Sequence, residues 1–391
     1  MNPLHLLFRV ALISLLFSCF SFSAHADEED LADPGQITFR SQMSTLDFEE
    51  IDPYSGVLAL THKDVSLPGN GGLDLNIYRT YRIDRSSVYN ALAGRWNIHF
   101  GRINHDGSRV AIELQDGTVN SAVRENYNSA FQTFYNYFTK DFWKVNMQNI
   151  PSLQLTDGTK IIFGHSLSNG WRYATRIEKN NNVIVIKYDD TTRRIDYVTN
   201  STGRRVDFNY QYIGGLHRLV SITCADDPSH RKLVEYSYGT NGGNLNLLEA
   251  SYLDGDTWEY NYKVFTKNDN GFLIMSIYLL EKVTTTYGGT ITYDYNHFKR
   301  ADVGTGYKYQ LSVSSKDVSG SGVWTYDYGF DDDNNRDYSI IEDPCGRITT
   351  YDFYGYSGGY DGSGQSECYQ YGLIRHKFTT DNSFEPGERQ S

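Results

Sequence analysis

Between Val183 and Tyr212 apolar and polar positions alternate in runs too short for helices. Val183, Val185 and Lys187 alternate with Ile184, Ile186 and Tyr188, and Asp189-Asp190-Thr191-Thr192 then interrupts the run. Ile195, Tyr197 and Val198 follow, and Asn200-Ser201-Thr202-Gly203 interrupts again. Val206, Phe208 and Tyr210 then recur every second residue, which sets them on one face of a strand. The stretch predicts three short strands joined by two polar turns.

The same beat runs through most of the chain. Asp52-Pro53-Tyr54-Ser55-Gly56 is turn chemistry, and Val57, Ala59 and Thr61 alternate after it with Leu58, Leu60 and His62. Leu67-Pro68-Gly69-Asn70-Gly71-Gly72 predicts a second turn, followed by Leu73, Leu75 and Ile77 at period two. Asp106-Gly107 and Asp116-Gly117 are short-hairpin dipeptides. From Asp157 a sub-pattern recurs, Gly-x-x-apolar-x-aromatic, starting at Gly158, Gly203, Gly255, Gly288 and Gly346, with Ser321 in the glycine's place once. Spacing between these anchors varies, so the pattern predicts a loose array of hairpins rather than a strict solenoid. In Tyr127 to Phe142, Phe131, Phe134, Tyr135 and Phe138 also fit helical spacing, so helix and strand pair both stay open there.

Composition sharpens this to an all-β class: 32 Tyr and 20 Phe against 8 Pro suit half-buried pleated surfaces. Arg9, the apolar run from Val10 to Phe22 and Ala24-His25-Ala26 predict a cleavable export signal over residues 1–26, cut after Ala26. A lipoprotein signal ending at Cys19 is the rival, with bulky Phe17 against it. The chain is expected in the periplasm, on the cell surface or outside the cell, with no transmembrane segment. Without the signal, 35 basic and 48 acidic residues leave about −13 charges, which argues against a nucleic-acid surface. Three cysteines remain, Cys224, Cys345 and Cys368, and Cys345 with Cys368 is the favoured pair if one disulfide forms.

Tyr188-Asp189, Thr202-Gly203-Arg204, Tyr293-Asp294, Tyr326-Asp327, Asp343-Pro344-Cys345-Gly346-Arg347 and Tyr351-Asp352 resemble the YD repeats of the RHS family. The segment from Asp52 to Leu73, with Arg79-Thr80-Tyr81 and Gly94-Arg95-Trp96, is similar to that family's lead segment. The resemblance implies antiparallel β-hairpins in a curved or spiralling sheet, part of a shell that in bacterial members often encloses a toxic domain. It divides the chain into an acidic lead-in at 27–50, a lead β-segment at 51–155, a hairpin array at 156–380 and a tail at 381–391. The chain is shorter than the family's closed shells, and Tyr371-Gly372-Leu373-Ile374-Arg375 looks like the opening of a further repeat. A truncated or divergent front of a shell is the expectation.

Candidate chemistry is sparse. Asp331, Asp333, Asn335 and Glu342 fall at positions 1, 3, 5 and 12 of a calcium loop, but Arg336 stands where that loop needs Gly. A plain solvated hairpin turn is preferred, and calcium is the alternative. His99 and His105 could share a strand face, yet they lack a third ligand. The carboxylate pairs Glu49-Glu50, Asp189-Asp190 and Asp226-Asp227 read as turns, and nothing selects a catalytic pair. Trp96, Trp143, Trp171, Trp258 and Trp324 could stack on sugars or pack across strands, and their periodicity favours packing. The expectation is a secreted scaffold without enzymatic activity or cofactor. Its partner would be a downstream shell or toxin segment, or a cell surface. A free-standing carbohydrate-binding module is the alternative.

Overall fold

The computed structural model describes residues 46–353 and 374–380, apart from 86–90, 106–108, 125–135, 169, 228, 230, 242–243, 270–271, 303–305, 332 and 334–335. The expected export signal, the tail, Cys368 and Tyr371 to Leu373 lie outside the described residues. Every helix or strand among the described residues is a β-strand, and no helix there is long and apolar enough to cross a membrane.

Two antiparallel sheets form. The first has four strands in sequence order: β1 (Glu49–Ile51), β2 (Leu58–Leu67), β3 (Leu75–Arg82) and β4 (Trp96–Asn97). The second begins with β5 (Arg102–His105), β6 (Arg109–Glu113), β7 (Val119–Arg124), β8 (Asn136–Phe138), β9 (Lys144–Asn146), β10 (Ser152–Gln154) and β11 (Lys160–Ile162). Next come β12 (His165–Ser166), β13 (Arg172–Tyr173), β14 (Arg176–Lys179), β15 (Asn182–Tyr188), β16 (Ile195–Asn200), β17 (Arg205–Ile213) and β18 (Leu216–Cys224). The sheet continues through β19 (Lys232–Asn241), β20 (Asn244–Tyr252), β21 (Thr257–Asp269), β22 (Phe272–Thr284) and β23 (Thr290–Asp302). It ends with β24 (Gly306–Val318), β25 (Gly322–Asp331), β26 (Arg336–Glu342), β27 (Ile348–Phe353) and β28 (Ile374–Thr380). Among the described residues these 24 strands make one long, continuous antiparallel sheet. β13 returns to pair with β5, while β14 pairs with β11.

The sequence-level strands of the opening pattern are β15, β16 and β17. The expected lead segment 51–155 divides: its first part forms the separate four-stranded sheet, and β5 to β10 join the hairpin array. The described part of the ambiguous stretch ending at Phe142 contains β8 and no helix.

One turn is used repeatedly. Asn200 donates its N–H to the Arg204 carbonyl, and Gly203 donates to Asn200. The same two bonds recur at Leu114, Leu155, Leu167, Tyr252, Thr285 and Asp343, with glycine at the fourth position each time. That position has positive φ, +87° at Gly203, which only glycine adopts without strain. The recurring Gly-x-x-apolar-x-aromatic pattern is the trace of this turn. At Thr139 the same turn carries Phe142, with φ +62°. Where Ser321 replaces the glycine, positive φ moves to Gly320 and Gly322.

A second device follows the turns at Asn200, Tyr252, Thr285 and Asp343, and recurs in the β15–β16 and β19–β20 hairpins. The ladder shifts register at Lys187/Tyr188, Asn209/Tyr210, Ser237/Tyr238, Asn261/Tyr262, Asp294/Tyr295 and Asp352/Phe353. Each shift falls just before the outer aromatic of the pair. Each leaves one extra residue on the next strand, for example Val220 between the partners of Asn209 and Tyr210. Bulges bend and twist a sheet locally. The tyrosine after the bulge then reaches back: the Tyr262 hydroxyl donates to the Leu247 carbonyl at 2.7 Å and that of Tyr295 to Leu280 at 2.6 Å. Tyr238 does the same to Leu219. Leu219, Leu247 and Leu280 are themselves the bulge partners of Tyr210, Tyr238 and Tyr262, so each hairpin is tied to the one before.

The small sheet lies across this array. The Gly56 carbonyl accepts the Val313 N–H of β24 at 3.0 Å. Eight residues on, Asp64 accepts the Tyr236 hydroxyl of β19 at 2.6 Å. Eight extended residues span about 26 Å, and five strand spacings about 24 Å, so β2 crosses the strands of the long sheet near a right angle.

Candidate functional site at the contact between the two sheets

Three ionic centres hold the lead sheet in place. Asp64 and Arg79 form a fully buried pair, Nε to Oδ2 3.0 Å, from neighbouring positions on β2 and β3. Tyr236 and Tyr252 donate to Asp64 at 2.6 Å each, and Arg79 donates to the Tyr260 hydroxyl at 2.5 Å. Burial works against the Arg79 cation, but Asp64 and the tyrosine hydroxyls outweigh it and hold its pKa above the ordinary value. Trp96 lies under the guanidinium at 4.9 Å. Trp96 donates in turn to the Tyr262 hydroxyl at 2.8 Å.

Glu49 of β1 and Lys316 of β24 make the second centre, 2.7 Å apart with neither side chain exposed. The Tyr293 hydroxyl donates to the other carboxylate oxygen at 2.6 Å. Glu113, at the end of β6, is the third. It receives Arg85 and Arg102, and His99 Nε2 stands 3.2 Å away. Burial raises the Glu113 carboxyl, but the two arginines and the histidine overcome it and hold it well below its usual range. Each carboxylate meets at least one cation, and Asp64 and Glu49 also accept tyrosine hydroxyls, as a buried charge requires.

The lead segment also caps the bulges. Leu219 donates its N–H to the Ala91 carbonyl at 3.0 Å, Leu280 to the Tyr81 hydroxyl at 3.1 Å and Val313 to Gly56. Each donor is the residue opposite a bulge tyrosine. Burial pushes the Tyr81 hydroxyl up to about 12. Farther along, Tyr54 donates to Asp337 of β26 at 2.8 Å and meets the Phe353 ring of β27 edge-on at 5.0 Å. The arrangement is suited to fixing one sheet on the other.

The residues singled out in the sequence lie elsewhere. Asp331 ends β25 and pairs with Arg336 at 3.3 Å, and Asp333 is in the adjoining turn. Asn335 lies outside the described residues. Glu342 sits at the far end of β26 opposite Thr325, so the structure does not bring it to Asp331 and Asp333. Strand pairing runs right up to the turn, which leaves no twelve-residue loop. No cluster of three or more His, Cys, Asp or Glu among the described residues could hold a metal. His105 bonds the Tyr137 hydroxyl at 2.7 Å, away from His99 and Glu113. Cys345 is exposed in the turn before β27, and Cys368 lies outside the described residues. Trp96, Trp143 and Trp171 are buried, and Trp258 and Trp324 pack against the core, as strand periodicity predicts.

Glu49 corrects one expectation. With Glu50 it read as a turn pair, but it lies in β1, is 5% exposed and anchors Lys316. Asp64, Arg79, Glu113 and Lys316 were not expected to matter. The available signal was a charge at a core-facing beat of a strand: Arg79 follows Leu75 and Ile77 at period two.

No family model matches the chain, and no curated protein matches it. Among solved structures it is similar to the N-terminal domain of effector protein SpvB from Salmonella typhimurium strain LT2, with 11% identity over 68% of this chain and 94% of that one and a TM-score of 0.22. It is similar to a chain of the TcdB2-TccC3-TEV structure, with 10% identity over 82% of this chain and 23% of that one and a TM-score of 0.21. A third similarity is to the Photorhabdus luminescens Tc holotoxin pore, with 9% identity over 78% of this chain and 19% of that one and a TM-score of 0.22. The chain spans less than a quarter of the length of the last two.

Proposed function

We propose that this chain is an exported, non-enzymatic scaffold of the RHS kind, the front of a β-shell that serves toxin encapsulation or delivery, or contact with a cell surface. One observation carries the reading: a lead sheet laid crosswise over the hairpin array and bound to it by buried ion pairs and bulge caps. Burial of this many charges stabilises little beyond an apolar contact of the same area. It does specify a single seating of the lead sheet, which a shell that must begin at a defined hairpin requires. The repeated turn and the tyrosine ties support the same reading, because they let hairpins be added without changing the contact. β28 pairs with β27 alone among the described residues, and such an edge is a place where a further strand can add.

The test is limited proteolysis of the exported product, purified from its source with whatever polypeptide continues it or accompanies it. The shell reading expects an enclosed polypeptide that resists trypsin until denaturant opens the sheet. Cleavage of that polypeptide at the rate of an unfolded control, with the sheet intact, rejects it.

A further inference from the structure

A cavity of about 250 Å³ opens between the residues preceding β5, the β12–β13 hairpin and strands β15 to β17. His165, Tyr173, Tyr188, Arg193, Arg194 and Tyr210 are among its lining residues, and no described lining residue is Asp or Glu. His165 and Tyr188 stack at 3.9 Å and 5°, and the Tyr188 hydroxyl donates to the Ala174 carbonyl at 2.8 Å. These bonds brace one wall.

Tyr210 departs from the rule its siblings obey. Tyr238, Tyr262 and Tyr295 each donate to the carbonyl opposite the preceding bulge tyrosine. By the same step Tyr210 would donate to Ile195, the partner of Tyr188. Its hydroxyl oxygen is buried and has no hydrogen-bond partner, and both residues line the cavity. A buried hydroxyl left without a partner destabilises the fold unless something else satisfies it. Arg194 lies beside it, with its guanidinium 5.7 Å from the Tyr210 ring centre and no carboxylate paired with it among the described residues. Burial lowers the Arg194 pKa, against the pull of the Tyr210 and Tyr238 hydroxyls. Arg193, held at φ +62°, donates to the Ser166 carbonyl at 2.8 Å at the cavity's rim.

We propose that this cavity binds a carboxylate carried on a single six-membered ring, with Arg194 and the Tyr210 hydroxyl donating to the carboxylate and the Tyr173 side of the cavity receiving the ring. A guanidinium and a phenol O–H are both donors, and an oxyanion can satisfy both at once. The volume suits one ring. This site is independent of the scaffold role.

Calorimetric titration of the full chain tests it with D-glucuronate, benzoate and D-glucose. At least one acid binds with a dissociation constant of about 1 mM or tighter, and glucose does not. Binding of glucuronate alone identifies a sugar acid as the source, and of benzoate alone an aromatic acid. Arg194→Gln weakens binding at least about tenfold. Tyr210→Phe keeps the ring and the fold, as far-ultraviolet circular dichroism will confirm, yet weakens binding severalfold. No heat from either acid, equal heat from glucose, or unchanged affinity in both variants overturns the proposal.

Discussion

The Lys316 ammonium lies 2.7 Å from the Glu49 carboxylate, with neither side chain exposed, and it joins the first strand of the small sheet to a strand 267 residues later. The energetic consequence is asymmetric. Removing one partner leaves a buried charge uncompensated, while removing both leaves only a packing change. Lys316→Met should therefore lower the unfolding free energy in urea by about 3–5 kcal/mol. Lys316→Met combined with Glu49→Leu should recover most of that loss. A double variant as unstable as the sum of its single variants would show that the pair is no coupled unit.

Gly56 packs the backbone of the first sheet's segment directly on the long sheet. Its φ is +66°, and a Cβ there would sit 2.4 Å from Ser312 Cβ and 2.8 Å from the Tyr328 ring. Its carbonyl is also the cap on Val313. Gly56→Ala is expected to cost about 2–4 kcal/mol, from left-handed backbone strain plus overpacking. Denaturant unfolding measures this, and a cost below about 1 kcal/mol would mean that the contact yields without strain.

Phe142 holds the opposite lesson. It occupies the glycine position of the repeated turn at φ +62°, and its side chain is 84% exposed. The left-handed conformation costs a side-chain-bearing residue about 1–2 kcal/mol, and an exposed ring regains little of it. Phe142→Gly should stabilise the protein by about 1 kcal/mol, after allowance for the extra freedom of glycine in the unfolded chain. A destabilised variant would mean that the Phe142 ring makes a contact worth more than the strain.

The turns were legible because their constraint is local: a positive φ calls for glycine, and the beat after Gly203 or Gly255 reports which face is buried. The bulges were not. Val220, Glu281 and Ser314 are extra residues with no common chemistry, and the aromatic strand opposite keeps its period of two. The strands between Asp52 and Trp96 were legible from their alternation, but their separation from β5 to β10 depends on pairing that alternation does not encode. The ionic centres were hidden for another reason. Glu49 reads as an ordinary surface acid until β24 brings Lys316 beneath it, and Asp64 until β19 and β20 bring two phenols. The cavity was invisible because Tyr210 looks like its siblings and differs only in the bond it does not make.

The histidines set the response to acid. His62 is stacked between Phe48 at 5.3 Å and Trp96 at 5.7 Å, and its Nε2 is buried with no hydrogen-bond partner. Burial, then the neighbouring Arg79 cation, hold its pKa well below the ordinary histidine value of 6.5. Burial lowers His99 too, against the pull of Glu113. Both pKa values are depressed by folding, so below about pH 6.5 the unfolded chain binds protons that the native protein refuses. Stability is therefore full above that pH and falls on acidification, with a slope approaching about 1.4 kcal/mol per pH unit for each such histidine. Glu113 is depressed as well, but it adds to the loss only below its unfolded value of 4.5, and burial raises the Glu50 carboxyl, which works in the opposite sense, so it is the difference between variant and parent above about pH 5 that reports a single histidine. His62→Phe retains an aromatic ring between Phe48 and Trp96 and removes the titrating group. Urea unfolding at half-unit steps from about pH 7.5 to 5.5 should show the variant losing one proton's worth of slope relative to the parent. Identical slopes would mean that His62 takes up its proton in the folded protein as readily as in the unfolded chain, so that neither burial nor Arg79 depresses it.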